Sequence, residues 1–242
     1  MATSRLLTSI SFFKGLLLMA YISAAQANFS GFGSEIDSYI KESAIHYQVD
    51  EAMLRGLVKI EDGWYGNVSP TGATGIGQFT VGTWNWLANT LEGAKIGMSP
   101  ITPGNRNTSS DPRHNKKVNM LATALYARWH EEQFIRRGIP PSDENLYMAH
   151  NIGLAGIYRA LLGKSTAEDI KNMRRNGMKK WMSVSDFIAY QKNRYNQNKL
   201  IANFMATPAP SKKQNWIQPN DTAIRWVTPP DGNNIRWLTP TN

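Results

Sequence analysis

The sequence predicts an all-α fold, and three observations carry that prediction. No stretch alternates apolar and polar residues with a period of two, so no strand is called for. Several segments repeat apolar residues at i, i+3, i+4 and i+7, and most of these open on Ser, Thr or Asp, residues that cap helix starts. The 242 residues, 41% hydrophobic with 8 Trp, 9 Tyr and 8 Phe, are enough for one sizeable core.

The first stretch stands apart. Arg5 and Lys14 give it positive charge, Gly15 to Ala24 is apolar but too short to span a bilayer, and Ala25-Gln26-Ala27 has the small-x-small form of a cleavage site. Residues 1–27 therefore read as a secretory signal peptide, with no integral membrane segment left after its removal. Losing Arg5 and Lys14 and no acid lowers the formal charge from +9 to +7. The absence of cysteine means that an exported form relies on its core, without disulfides, and the periplasm suits it. A basic exported protein suits an anionic polymer, and charge alone does not choose between wall glycan, membrane surface and nucleic acid.

Residues 28–205 read as one helical domain. Ser34 with Asp37 in the capping-box position opens a helix through Ile36, Ile40, Ile45 and Tyr47. A second helix, from Asp50, puts Leu54, Leu57, Val58 and Glu61 on one face, with Arg55, Lys59 and Asp62 assigned to the other. A third is expected around Thr80 to Leu91, followed by a long loop from Glu92 to Ser110 rich in Gly and Pro. Asp111-Pro112 begins the clearest helix, with an apolar stripe from Val118 to Phe134 and a stop at Gly138. Ser142 opens the next, Ser165-Thr166-Ala167-Glu168 reads as a capping box, and Ser183 with Asp186 starts a last helix to about Phe204.

Residues 206–242 change character. Six prolines interrupt them, and Trp216-Ile217-Gln218-Pro219, Trp226-Val227-Thr228-Pro229 and Trp237-Leu238-Thr239-Pro240 recur at spacings of 10 and 11. They read as a disordered tail bearing repeated docking motifs, the alternative being that the tryptophans fold back on the helical domain.

Glu61 is the residue that breaks its helix's pattern. It occupies an apolar position in the last turn, where free carbonyls already disfavour negative charge. One reading is a glutamate at the rim with its head in water or answering a buried arginine; the other is a desolvated carboxyl, which can hold its proton near neutral pH and donate it. Glycoside hydrolysis ordinarily uses two carboxylates, yet from Gly63 to Leu91 there is no Asp or Glu. That pattern favours one glutamate acting twice, as acid and then as base. Downstream, Gly72, Gly75 and Gly77 allow the backbone to approach a ligand closely, and Gln78 offers a donor and an acceptor. Metal chemistry is not expected: His130-Glu131-Glu132 lacks a second histidine, and His46 and His114 are isolated. Trp84 and Trp86 have the shape to stack on sugars, but their spacing is also that of core residues.

Four motifs in order carry a resemblance: Lys59-Ile60-Glu61-Asp62-Gly63, Val68 to Phe79, Asp111-Pro112-Arg113-His114-Asn115, and Met148-Ala149-His150-Asn151-Ile152-Gly153. Over about residues 34–163 the chain resembles soluble lytic transglycosylases of glycoside hydrolase family 23. The resemblance implies a goose-type lysozyme fold and cleavage of the MurNAc–GlcNAc β-1,4 bond of peptidoglycan without water, leaving 1,6-anhydro-MurNAc. It assigns Glu61 as catalytic acid and base, with Ser69, Gln78, Tyr147, His150 and Asn151 as substrate-binding residues and no metal or cofactor. Asp62 stands where the family has serine and His150 where it commonly has tyrosine, with Tyr147 nearby on the same helix. The exported, proline-tailed layout resembles transglycosylases that accompany type IV secretion or conjugation systems, so the expected partners are peptidoglycan strands and, through the tail, a subunit of such an apparatus, with nucleic acid not expected. The alternatives are a hydrolytic muramidase and a non-catalytic wall-binding assembly protein.

Overall fold

The computed structural model describes residues 29–204. The expected signal peptide (1–27) and the expected tail (206–242) lie outside the described residues. Within them the chain is mostly helical and contains no strand, only two isolated bridges in the glycine-rich loop. No helix among the described residues is long and apolar enough to cross a membrane.

Helix α1, Ser34–Tyr47, begins without a side-chain cap: Gly33 is the cap residue, and Asp37 turns instead to the Arg55 guanidinium at 2.5 Å. Helix α2, Glu51–Glu61, starts as expected, the Asp50 carboxylate accepting from the Met53 N–H at 2.6 Å. Its end is one residue earlier than Gly63 would set it. Asp62 takes the left-handed conformation at φ 55° and its N–H closes on the Val58 carbonyl.

Arg55 does not face solvent as its position in the helical pattern suggested. It is buried, with Nε donating to the Ala202 carbonyl at 3.3 Å and Nη2 to Asp37. The Asp37 carboxylate, 18 residues away, balances the charge and the Ala202 carbonyl, 147 residues away, takes Nε; no local pattern shows either partner.

Thr80 caps α3, Val81–Ala88, and Thr90 caps a short α4, Leu91–Lys95, which occupies the start of the expected loop. The Asp111-Pro112 start divides in two. Asp111 caps a 3-10 turn over Pro112–His114, and Asn115 caps the long α5, Lys116–Arg136. Helix α6, Asp143–Ile152, is capped by Ser142 and passes through Gly153 (φ 82°) into α7, Leu154–Leu161. Thr166 and Asp169 form the capping box of α8, Ala167–Arg175, one residue later than the sequence suggests; Ser183 and Asp186 form that of α9, Val184–Asn203.

The core fills with Ile40, Leu54, Leu57, Phe79, Trp84, Phe134 and Phe187, each about fully buried. Burying one such side chain contributes about 2 kcal/mol. One contact decides where the site forms. Helix α9 lies along α2 and pairs Asn203 with Ala52, Ala202 with Arg55 and Lys199 with Gly56, so the two run in opposite directions. Gly56 permits this closeness, because a Cβ there would meet Lys199 Cβ at 2.8 Å. Continued along α9, the same register brings residues near 194 to the Glu61 end of α2.

Candidate active site

The glycine-rich loop is a framed backbone rather than a loose turn. Ser69 and Ala73 pair at 2.9 Å, Thr74 and Phe79 exchange both backbone hydrogen bonds at 3.1 Å, and Gln78 N–H closes on the Gly75 carbonyl. Three side chains hold it from beneath. Arg113 Nη1 donates to the Gly72 and Phe79 carbonyls at 2.8 and 2.9 Å, Asn119 Oδ1 accepts from the Gly77 N–H at 2.8 Å, and His150 Nε2 donates to the Gly77 carbonyl at 2.8 Å.

Arg113 is itself fixed by Asp111, both wholly buried. Burial opposes ionisation of Asp111, but hydrogen bonds from Arg113 and backbone N–H groups overcome it and hold its carboxyl down at about 2. Gly75, at φ 83°, has no room for a side chain, since a Cβ would lie 2.0 Å from Asn119 Nδ2.

Glu61 meets this frame at its edge. Gly63, two residues on, packs so tightly against the loop that a Cβ would lie 2.1 Å from the Gly75 carbonyl and 2.6 Å from Gln78 Nε2. Glu61 is half-buried and accepts no hydrogen bond from a described residue. Burial pushes its carboxyl up to about 7, and the Arg194 guanidinium opposes that rise. No other carboxylate among the described residues acts on it. Asp62 is exposed at the helix end, its carbonyl taken by Asn67.

Around Glu61 the structure gathers several of the expected residues. Tyr147 is buried and stacked on Tyr195 at 5.1 Å; burial first, then the Glu61 carboxylate, raise its phenol above the usual range. Its hydroxyl donates to Gln191 Oε1 at 3.2 Å, which also accepts from Arg194 Nη1 at 2.9 Å. Gln191 Nε2 continues the line to the Asn176 carbonyl at 2.7 Å, and the Asn176 amide lies 3.5 Å from Asn151. Asn151 Oδ1 is buried and has no hydrogen-bond partner among the described residues. Gln78 donates to the Asn67 and Gly75 carbonyls.

Two expected binding residues carry structural duties here. Ser69 Oγ accepts from the Ala73 N–H at 2.9 Å and pairs with Thr71, bracing the first turn of the loop. His150 is a strut under Gly77: donation to a carbonyl places the proton on Nε2, and burial holds the ring neutral, pulling its value down to about 4. Tyr147, not His150, is the ring whose charge environment includes Glu61.

Arg194 and Gln191 were missed from sequence. A cation and an amide on a helix 130 residues downstream of Glu61 carry no local signal of convergence; only the α2–α9 pairing brings them in. The histidine-acid run is also accounted for. His130 is wholly buried against Tyr126 at 4.0 Å, while Glu131 and Glu132 pair with Arg128. No group of three potential metal ligands occurs among the described residues. Trp84 is core, its Nε1 bonded to the Ser99 carbonyl at 2.8 Å, and Trp86 is half-buried against Trp129 and Tyr126.

Comparisons add no relative. No family model, no curated protein and no solved structure matches the chain.

Proposed function

We propose that this chain is an exported peptidoglycan lytic transglycosylase with a lysozyme-like fold of the goose type. The observation that carries the reading is a glutamate at the edge of a rigid glycine-rich frame, its carboxyl raised to about 7 and with no carboxylate partner among the described residues. At neutral pH about half of such a group is protonated, which suits it to give a proton and then take one back.

The mechanism uses that group twice. Protonated Glu61 gives its proton to the glycosidic oxygen as the MurNAc C1–O bond breaks, and positive charge develops on the ring. The resulting Glu61 carboxylate, steadied by Arg194, removes the proton of the same sugar's C6 hydroxyl. That oxygen closes on C1 to give the 1,6-anhydro ring. Water is not consumed. This reading assigns the sugar amide and hydroxyl to Asn151, whose buried Oδ1 has no partner among the described residues, and to Oε1 of Gln78, whose Nε2 is taken by the Asn67 and Gly75 carbonyls. In this reading the protein works in the periplasm, where it opens the wall locally for a secretion or conjugation apparatus that its tail docks onto.

Incubation with purified sacculi tests the reading. Anhydro-MurNAc products are expected from the wild type and none from Glu61→Gln. Reducing-end MurNAc would instead make the protein a muramidase, and no turnover at all would leave a wall-binding role.

A further inference from the structure

Gln191, wholly buried on α9, bonds both of the side chains whose electrostatic surroundings include Glu61. Its Oε1 accepts from the Tyr147 hydroxyl at 3.2 Å and from Arg194 Nη1 at 2.9 Å, while Nε2 donates to the Asn176 carbonyl at 2.7 Å. The partners fix which way the amide points, because a guanidinium only donates and a backbone carbonyl only accepts. An apolar chain of the same length would fill the space, and an amide is costly to bury unless both its ends are bonded. The reason for an amide here lies in what it holds.

What it holds is a cation beside an acid. Arg194 is near enough to Glu61 to oppose the rise of its carboxyl, yet neither a hydrogen bond nor an ion pair joins the two. A charge-assisted bond between them would favour the ionised acid strongly. Two contacts weigh against that closure: Gln191 takes Nη1, and the guanidinium carbon lies 5.9 Å from the centre of the Tyr190 ring. To close on Glu61 the guanidinium gives up the first of these at least. The other titratable groups around the acid do not compete for it. Tyr147 comes from α6, Tyr190 stands behind it on α9, Asp62 is exposed, Lys59 lies over the Phe29 and Trp64 rings, and the glycine-rich loop brings the uncharged Gln78.

We infer that Gln191 is a positioning residue: by tethering the Arg194 guanidinium it keeps Glu61 from being locked as one half of an ion pair, and so leaves that carboxyl free to give a proton and take one back. The use of this in proton transfer rests on the glycan-cleaving reading above; the tether itself does not. Its sign is definite. A looser hold lets Arg194 favour the carboxylate, and a tighter one favours the acid.

The test titrates the full chain, labelled with carbon-13 at the glutamate carboxyls, by nuclear magnetic resonance; the Glu61 signal is the one that Glu61→Gln removes. Gln191→Met keeps the volume and cuts the tether, and is expected to lower the Glu61 midpoint by about 1 on the pH scale or more, which is about a tenfold fall in proton affinity. Arg194→Gln is expected to raise the midpoint, and with Arg194→Gln in place Gln191→Met should change nothing further. An unmoved midpoint overturns the inference. So does an equal fall in both backgrounds, which would mean only that the site had loosened and taken in water. Circular dichroism checks that each variant is folded. Should Gln191→Met fail to fold, Gln191→Glu decides: a carboxylate grips Arg194 more firmly, so the midpoint should rise, and a fall, or a rise that survives Arg194→Gln and is therefore plain repulsion, overturns the tether. The titration uses no substrate and stands apart from turnover. The expected shifts without cleavage of sacculi remove the glycan reading and keep the tether, and cleavage without the shifts does the reverse.

Discussion

Glu61→Gln has a consequence for stability that is independent of any substrate. The change keeps the side chain's shape and removes its titration. In the folded protein burial moves the carboxyl from its usual 4.5 to about 7. Below 4.5 the group is protonated in folded and unfolded chains alike, and contributes nothing to the difference between them. Between 4.5 and 7 the unfolded chain gives up its proton while the folded chain keeps it, so stability falls as pH rises. Above 7 the loss is complete, at about 3 kcal/mol. Glutamine escapes that loss. The variant is therefore expected to match the wild type near about pH 4 and to exceed it in Tm by about 6–12 °C near about pH 8. Thermal unfolding followed by far-ultraviolet circular dichroism across that range measures the gap. A Tm difference that does not change with pH would refute the claim that Glu61 is held protonated by desolvation, whatever its role with glycan.

Three further outcomes follow from named contacts. Arg194→Gln removes the cation that opposes the rise at Glu61, so the alkaline limb of the pH–rate profile is expected to move to higher pH; an unmoved limb would show that Arg194 does not act on the acid. Asp111→Asn leaves Arg113 buried without its counter-charge and is expected to cost about 3–5 kcal/mol in urea unfolding. Because the Asp111 carboxyl is held low, the wild type keeps that contribution above 3.8 and loses it as pH falls towards about 2. His150→Phe strips the Gly77 carbonyl of a donor and is expected to cost about 1–3 kcal/mol, measured the same way; an unaffected midpoint would show that the strut is dispensable.

The parts of the fold written in local pattern were readable from the sequence. Asp50, Thr80, Ser142 and Ser183 all cap helices, because a side-chain oxygen three residues before an orphan N–H is a short-range fact. Glu61 stood out for the same reason. What the sequence hid depends on distant partners. Arg55 reads as a solvent-facing cation until Ala202 and Asp37 appear beside it. His150 reads as a ligand contact until the Gly77 carbonyl is found at its Nε2. Helix α7 is not announced either, since Gly153 and Gly163 bracket it and its eight residues make barely two turns. Arg194 and Gln191 belong to the same class: each is ordinary on its own helix and acquires a role only where α9 meets α2.

That meeting gives the chain an order of events in time. Glu61 is made early, while the residues that enclose and oppose it come from α6 and, last, from α9. Until residues 184–203 have emerged and docked along α2, the glutamate faces water and ionises as any surface carboxylate does. An acid built this way acquires its raised value only when nearly the whole described chain has arrived.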